Sequence, residues 1–119
     1  MNELPIINWE LGTQLADNKR DLAEELLSIL INSLPIEIKV IKESLHNQNR
    51  DKLWQSVHKL HGAVCYCGTP RLKQVLTKLE TSIKTNIMDN LPLLIDELST
   101  EVNQLLTCYK SYTESCTHK

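Results

Sequence analysis

The sequence predicts an all-α protein: an antiparallel four-helix bundle with a short extra N-terminal helix. Three observations predict it. Glycine is scarce, at Gly12, Gly62 and Gly68. No segment sustains the period-2 alternation of a half-buried strand. Four long stretches instead repeat apolar residues every three or four positions and are joined by short polar connections, the pattern of antiparallel helical neighbours. The chain has no phenylalanine, so the core is expected to be aliphatic.

The first, short helix is placed from Asn8 to about Leu15, with Asn8 as N-cap; Gly12 inside it counts against helix. Asp17-Asn18 is read as the capping pair of the next helix. That helix carries Leu22, Leu26, Ile29, Leu30, Leu34, Ile38, Ile41 and Leu45. The spacing keeps phase through Pro35, which predicts one long helix kinked there or two nearly end to end. His46 to Arg50 is a polar turn in which Asn49 caps the third helix. The third helix runs from about Arg50 to Cys67 and stops at Gly68-Thr69-Pro70, read as a C-terminal glycine, a capping threonine and a proline in the first helical position. The fourth shows Leu72, Val75, Leu76, Leu79 and Ile83. After a turn at Asn86 to Asn90, the fifth begins with Pro92 in its first turn and shows Leu94, Ile95, Leu98, Val102, Leu105, Leu106 and Tyr109.

A chain of 119 residues suits one domain, residues 1–119, with a core over about 8–112 and a polar tail at 113–119. Its 13 basic and 15 acidic residues give a net charge of −2. That balance argues against a nucleic-acid binder, which shows a basic excess. No apolar run approaches the roughly 20 residues that span a bilayer, so no direct membrane contact is expected. The start, Met1 to Pro5, lacks the basic and apolar regions of a signal peptide. The expected location is the cytoplasm, for a free-standing domain or the cytoplasmic C-terminal piece of an inner-membrane protein. The four cysteines, Cys65, Cys67, Cys108 and Cys116, are expected to be reduced there.

The most informative stretch is Val57 to Gly62. On a helix, Leu53, Val57, Leu60 and Val64 form one stripe, and His58 points about 130° away from its centre. His58 should therefore meet solvent, one turn from Gly62, which has no side chain. Glycine inside a helix costs roughly 1 kcal/mol relative to alanine, so Gly62 needs a steric reason. Either cleared space beside His58 or tight packing on a neighbouring helix would supply one. Trp54, Gln55, His61, Gly62 and Cys65 share the His58 face at helical spacing.

His58-Lys59-Leu60-His61-Gly62-Ala63, with Gly68 and then Leu72 through Leu79-Glu80, resembles the histidine-containing phosphotransfer (Hpt) domain, whose pattern is H-x-L-[K/R/H]-G-[S/A]. Asn8-Trp9-Glu10 looks like the D-W-E-type opening of the same domains. The likeness covers about Asn8 to Tyr109 and is closest to the C-terminal Hpt domains of BarA/GacS/LetS-type hybrid sensor kinases. It implies a bacterial two-component phosphorelay in which His58 is the phosphoacceptor. The phosphoryl group would come from the aspartyl phosphate of a hybrid kinase's receiver domain and pass to a downstream response regulator. The domain itself would be a phosphocarrier and not an enzyme. It would bind no cofactor, with Mg²⁺ supplied by the receiver.

Under this resemblance Gly62 leaves room for the phosphoryl group. His61 stands where many members carry Lys and, when protonated, would steady the phosphate. Glu80 holds the position where members carry Gln or Glu facing the histidine; it would accept the Nδ1–H and leave Nε2 free. The bland reading of Glu80 is a solvated carboxylate paired with Lys84. Trp54, Gln55, Lys59, Cys65, Arg71 and Lys73 are the candidate receiver contacts, Lys59 at the rim because it faces about 100° aside. The domain is expected to be a monomer.

Two competing readings remain. His58, His61 and Cys65 stand at spacings close to ligand spacing, but no fourth ligand follows in register. The alternative function is accordingly a helical interaction or metal-binding bundle without covalent chemistry. With no glycine-rich phosphate loop, ATP chemistry is excluded.

Overall fold

A computed structural model describes residues 4–116, with side chains to Glu114. The expectations placed on residues 1–3 and 117–119, and on the Cys116 thiol, fall outside it. Five helices and no strand occur among the described residues: α1 Trp9–Leu15, α2 Arg20–His46, α3 Arg50–Val64, α4 Pro70–Lys84 and α5 Leu91–Cys116. The last four form the bundle. Each packs on the next, and α2 meets α5 to close the ring, while α1 lies against α2. The body measures 48 × 28 × 26 Å.

The core is aliphatic. Leu34, Ile41, Leu53, Val57, Leu60, Leu72, Leu76, Leu79, Ile83, Leu91, Leu98 and Leu105 are fully enclosed. On α3, α4 and α5 these fall at the spacing read from the sequence. Two side-chain caps fix helix starts: Asn8 Oδ1 accepts from Leu11 N–H at 3.0 Å, and Asn49 Oδ1 accepts from Lys52 N–H at 3.1 Å. Arg50 donates to the Ile83 carbonyl at 2.8 Å, which ties the start of α3 to the end of α4.

Helix α2 runs unbroken through Pro35. Its inward face differs from the expected one in its first half. Ala23, Leu27 and Leu30 are buried, whereas Leu22 and Ile29 are exposed, Ile29 to 59%. Ile29 and Leu30 are adjacent and so about 100° apart; both cannot face one core. Small Ala23 and polar Ser44 complete the buried face, and hydrophobicity alone does not reveal them. Asp17 and Asn18 do not cap this helix. They take left-handed φ angles of 58° and 63° in the α1–α2 turn, conformations these short polar side chains tolerate, and Lys19 is the N-cap.

The α3–α4 junction departs furthest from expectation. Helix α3 ends at Val64, which leaves Cys65 and Cys67 in the turn. Gly68 is not a left-handed cap, since no glycine has positive φ among the described residues. It is a point of close approach: a Cβ there would collide with the Asn8 carbonyl oxygen and stand 2.7 Å from Gly12 N. Asn8 N–H donates to the Gly68 carbonyl at 2.7 Å. The two glycines therefore let α1 sit directly on the junction. Gly12, which counted against helix in the sequence, lies in this contact, where a Cβ would stand a tight 3.3 Å from Gly68 N. Thr69 is the N-cap residue, but its side chain makes no cap bond and its hydroxyl is buried without a partner; Pro70 takes the first turn as expected. Helix α5 continues past Tyr112 to Cys116, four residues into the stretch expected to be tail. Tyr112 supplies a reason: its hydroxyl donates to Glu24 at 2.9 Å and its ring lies 4.7 Å from that of Trp9.

Candidate functional site

Helices α3 and α4 bring five side chains into play: Trp54, His58 and His61 from α3, Thr77 and Glu80 from α4. The Leu53, Val57, Leu60 and Val64 stripe is buried, which turns His58 outward; its side chain is 67% exposed. The ring stacks on Trp54, one turn earlier, with centroids 5.3 Å apart and planes at 17°. From α4, Glu80 reaches across, and His58 Nδ1–H donates to its Oε1 at 2.9 Å. A carboxylate only accepts, so the bond calls for a proton on Nδ1 and leaves Nε2 outside it. Glu80 is only 18% exposed, and its partner is His58, not Lys84.

His61 does not face the solvent beside His58. It is as enclosed as Glu80, and its Nδ1 lies 3.1 Å from the same Glu80 Oε1, within ion-pair range. Its Nε2 lies 3.2 Å from Thr77 Oγ1 on α4. Both ring nitrogens therefore stand against protein groups, Nδ1 against Glu80 and Nε2 against Thr77. Thr77 was absent from the sequence reading. Its signal was there: it precedes Glu80 by three residues and so shares its face.

Around Gly62, a built Cβ meets nothing within 4 Å. The packing explanation for this glycine is thereby removed, and the open space beside His58 stands.

The other candidates spread out. Gln55 is exposed on α3. Lys59 is exposed and pairs loosely with Glu37 of α2 at 3.7 Å. Cys65 and Lys73 line a groove of about 450 Å³ together with Leu11, Leu15, Pro70 and Thr77. Arg71 turns to α5, where it pairs with the buried Glu101 at 2.9 Å and donates to Gln104 at 2.8 Å. It also starts α4 nine residues before Glu80, about 13 Å away along the axis. Arg71 thus braces α4 against α5 and is not brought to the His58 face. Cys67 is buried, donating its thiol to the carbonyls of Leu26 and Ala63 at 3.7 Å; burial pushes its pKa up to about 11.

Among the described residues, no group of three or more His, Cys, Asp and Glu side chains is gathered to hold a metal ion, and no helix is long and apolar enough to cross a membrane.

A family-level sequence model described as the Hpt domain matches residues 25–108. The sensor protein GacS of Pseudomonas syringae pv. syringae is 37% identical over 81 residues, 68% of this chain and 9% of that protein. The signal transduction histidine-protein kinase BarA of Escherichia coli K12 is 29% identical over 106 residues, 89% of this chain and 11% of that protein. The chain thus spans about a tenth of these relatives. The crystal structure of the Hpt domain of a Shewanella sensor hybrid histidine kinase superposes with a TM-score of 0.83 at 31% identity, covering 92% of this chain and 95% of that one. HptB of Pseudomonas aeruginosa PAO1, a histidine-containing phosphotransfer protein, shares the fold, with a TM-score of 0.80 at 17% identity over 93% of this chain and 96% of that one.

Proposed function

We propose, for a chain that belongs to the Hpt domain family and so serves a phosphorelay, that His58 is the residue that carries the phosphoryl group. The observation that supports this most is an exposed imidazole whose Nδ1–H is held by Glu80, beside a glycine with open space around it. The donor is the aspartyl phosphate of a receiver domain. The Nε2 lone pair forms the N–P bond while the P–O bond to the aspartyl carboxylate breaks, and the bonding electrons leave with that carboxylate. The product ring carries both the Nδ1 proton and the Nε2 phosphoryl group, so it gains positive charge as the bond forms. Glu80 opposes that charge at hydrogen-bond distance, in the manner of a carboxylate behind a catalytic histidine.

The reverse sequence delivers the group to the receiver of a response regulator. Mg²⁺ and most stabilisation of the transferring group are contributions of the receiver domain in this reading. The parent is a hybrid sensor histidine kinase, with this domain in the cytoplasm. Receivers dock over the His58 face, with exposed Trp54 edge, Gln55 and Lys59 around the histidine. Ile36, exposed on the α2 turn next to Glu37, extends that surface.

The test is a transfer assay with a phosphorylated receiver and Mg²⁺, using wild type and His58→Gln. An acid-labile, alkali-stable phosphoryl group on wild type alone is expected. Labelling of both proteins alike, or of neither with several receivers, would favour the non-covalent interaction bundle.

A further inference from the structure

Beyond the phosphoacceptor itself, the network on α3 and α4 holds two residues whose arrangement has its own logic. One oxygen of Glu80, Oε1, meets both imidazoles: it is hydrogen-bonded to His58 Nδ1 at 2.9 Å and lies 3.1 Å from His61 Nδ1. Thr77 closes the set, since its hydroxyl lies 2.9 Å from the Lys73 carbonyl and 3.2 Å from His61 Nε2.

The protons can be counted. A carboxylate accepts only, so the state of His61 that suits Glu80 carries a proton on Nδ1. The Thr77 hydroxyl has one hydrogen and two uses for it. Aimed at Nε2, it serves a neutral His61. Aimed at the Lys73 carbonyl, it exposes a lone pair to an Nε2–H, and His61 is then a cation paired with Glu80. The contact of His61 Nδ1 with Glu80 is the same in both states. Only a hydroxyl rotation separates them, and no heavy atom has to move.

We propose that His61 and Thr77 are positioning residues for the transfer, acting through Glu80. Thr77 fixes the His61 ring. His61 fixes Glu80 Oε1. Glu80 in turn keeps His58 in the tautomer that presents a bare Nε2. The inference rests on the reading of His58 as the phosphoacceptor for its purpose, but its geometry is testable without any receiver. It also assigns His61 a role different from that of a surface cation: with both nitrogens occupied, the ring does its work on the acceptor's partner and not on the phosphate.

The test has two readouts. Long-range proton–nitrogen NMR on the ¹⁵N-labelled chain reports the His58 tautomer with no phosphoryl donor present. Phosphorylation by phosphoramidate, a small donor, reports nucleophilicity free of docking effects. Wild type is expected to show the Nδ1–H form of His58. His61→Ala is expected to admit the Nε2–H form and to lower the phosphorylation rate roughly fivefold, the worth of one lost hydrogen bond. Thr77→Val should move both readouts the same way by less, and His61→Gln, which keeps an N–H for Glu80, should recover most of the loss. If His61→Ala does not fold, Thr77→Val decides alone. An unchanged His58 spectrum in these variants would overturn the proposal, as would a slower rate with the tautomer unmoved, which would put His61 in direct contact with the phosphoryl group. Phosphorylation of His58→Gln would instead sink the phosphoacceptor reading and leave the tautomer result standing.

Discussion

Glu80 offers the sharpest quantitative test, because two substitutions there separate charge from hydrogen bonding. Glu80→Gln keeps an acceptor oxygen for His58 Nδ1–H but removes the negative charge; Glu80→Ala removes both. The charge opposes a ring that becomes positive as the N–P bond forms. At roughly 4 Å the Coulomb energy is about 1 kcal/mol in water and about 4 kcal/mol at an effective dielectric constant of 20. His58 is 67% exposed and Glu80 18%, so solvent screens one partner strongly, and the lower half of that range, about 1–2 kcal/mol, applies. This corresponds to a roughly 5- to 30-fold slower transfer for Glu80→Gln. Losing the orienting hydrogen bond adds about 1 kcal/mol, which puts Glu80→Ala at roughly 30- to 150-fold. The assay is single-turnover transfer from a phosphorylated receiver at saturating concentration, with melting curves to confirm that both variants fold. If Glu80→Ala transfers within about twofold of wild type, the carboxylate neither orients nor stabilises the ring, and the reasoning fails. If Gln and Ala behave alike, orientation contributes nothing and charge alone remains.

The other expectations concern packing, pairing and the buried thiol. Gly62→Ala should raise stability by about 0.5–1 kcal/mol, since the site is open and alanine is the better helix former, yet slow receiver-driven transfer; thermal melting and the transfer assay together check the opposite signs. Gly68→Ala should cost about 1–3 kcal/mol by overpacking against Asn8 and Gly12, seen as a lower Tm. Arg71→Ala leaves Glu101 buried without its partner, so a loss of about 2–4 kcal/mol in denaturant unfolding is expected, and any effect on transfer should follow the fraction folded. For Cys67, the folded thiol keeps its proton up to about pH 11 while the unfolded thiol loses it from its ordinary value of 9.0. Unfolding therefore releases a proton in that window, and stability should fall as pH rises through it. Cys67→Ala should flatten that part of the pH–stability curve.

Much of this molecule was legible in its sequence. Three of the four bundle stripes, the Asn8 and Asn49 caps and the outward histidine follow from period and chemistry, because each depends on residues close together in the chain. What escaped depends on partners from elsewhere. The inward face of α2 shifts at Ile29–Leu30 because neighbouring helices choose which of two adjacent apolar residues to bury. Arg71 looked like a surface cation until Glu101 and Gln104, some thirty residues away, claimed it. The contacts of His61 with Thr77 and Glu80 likewise come from the opposing helix and leave no mark on its own. Charge and helical phase say where a side chain can point, and only the opposing helix says what it meets.

The contact between Gly12 and Gly68 also bears on how such domains change over generations. Every other amino acid brings at least one more carbon, so Gly68 has no neutral neighbour in sequence space while α1 keeps its seat. A comparison of descendants would therefore find Gly68 unvarying a few residues from the histidine motif. It would tempt a reader to credit the glycine to phosphate chemistry, when its constancy records only that two stretches of backbone touch.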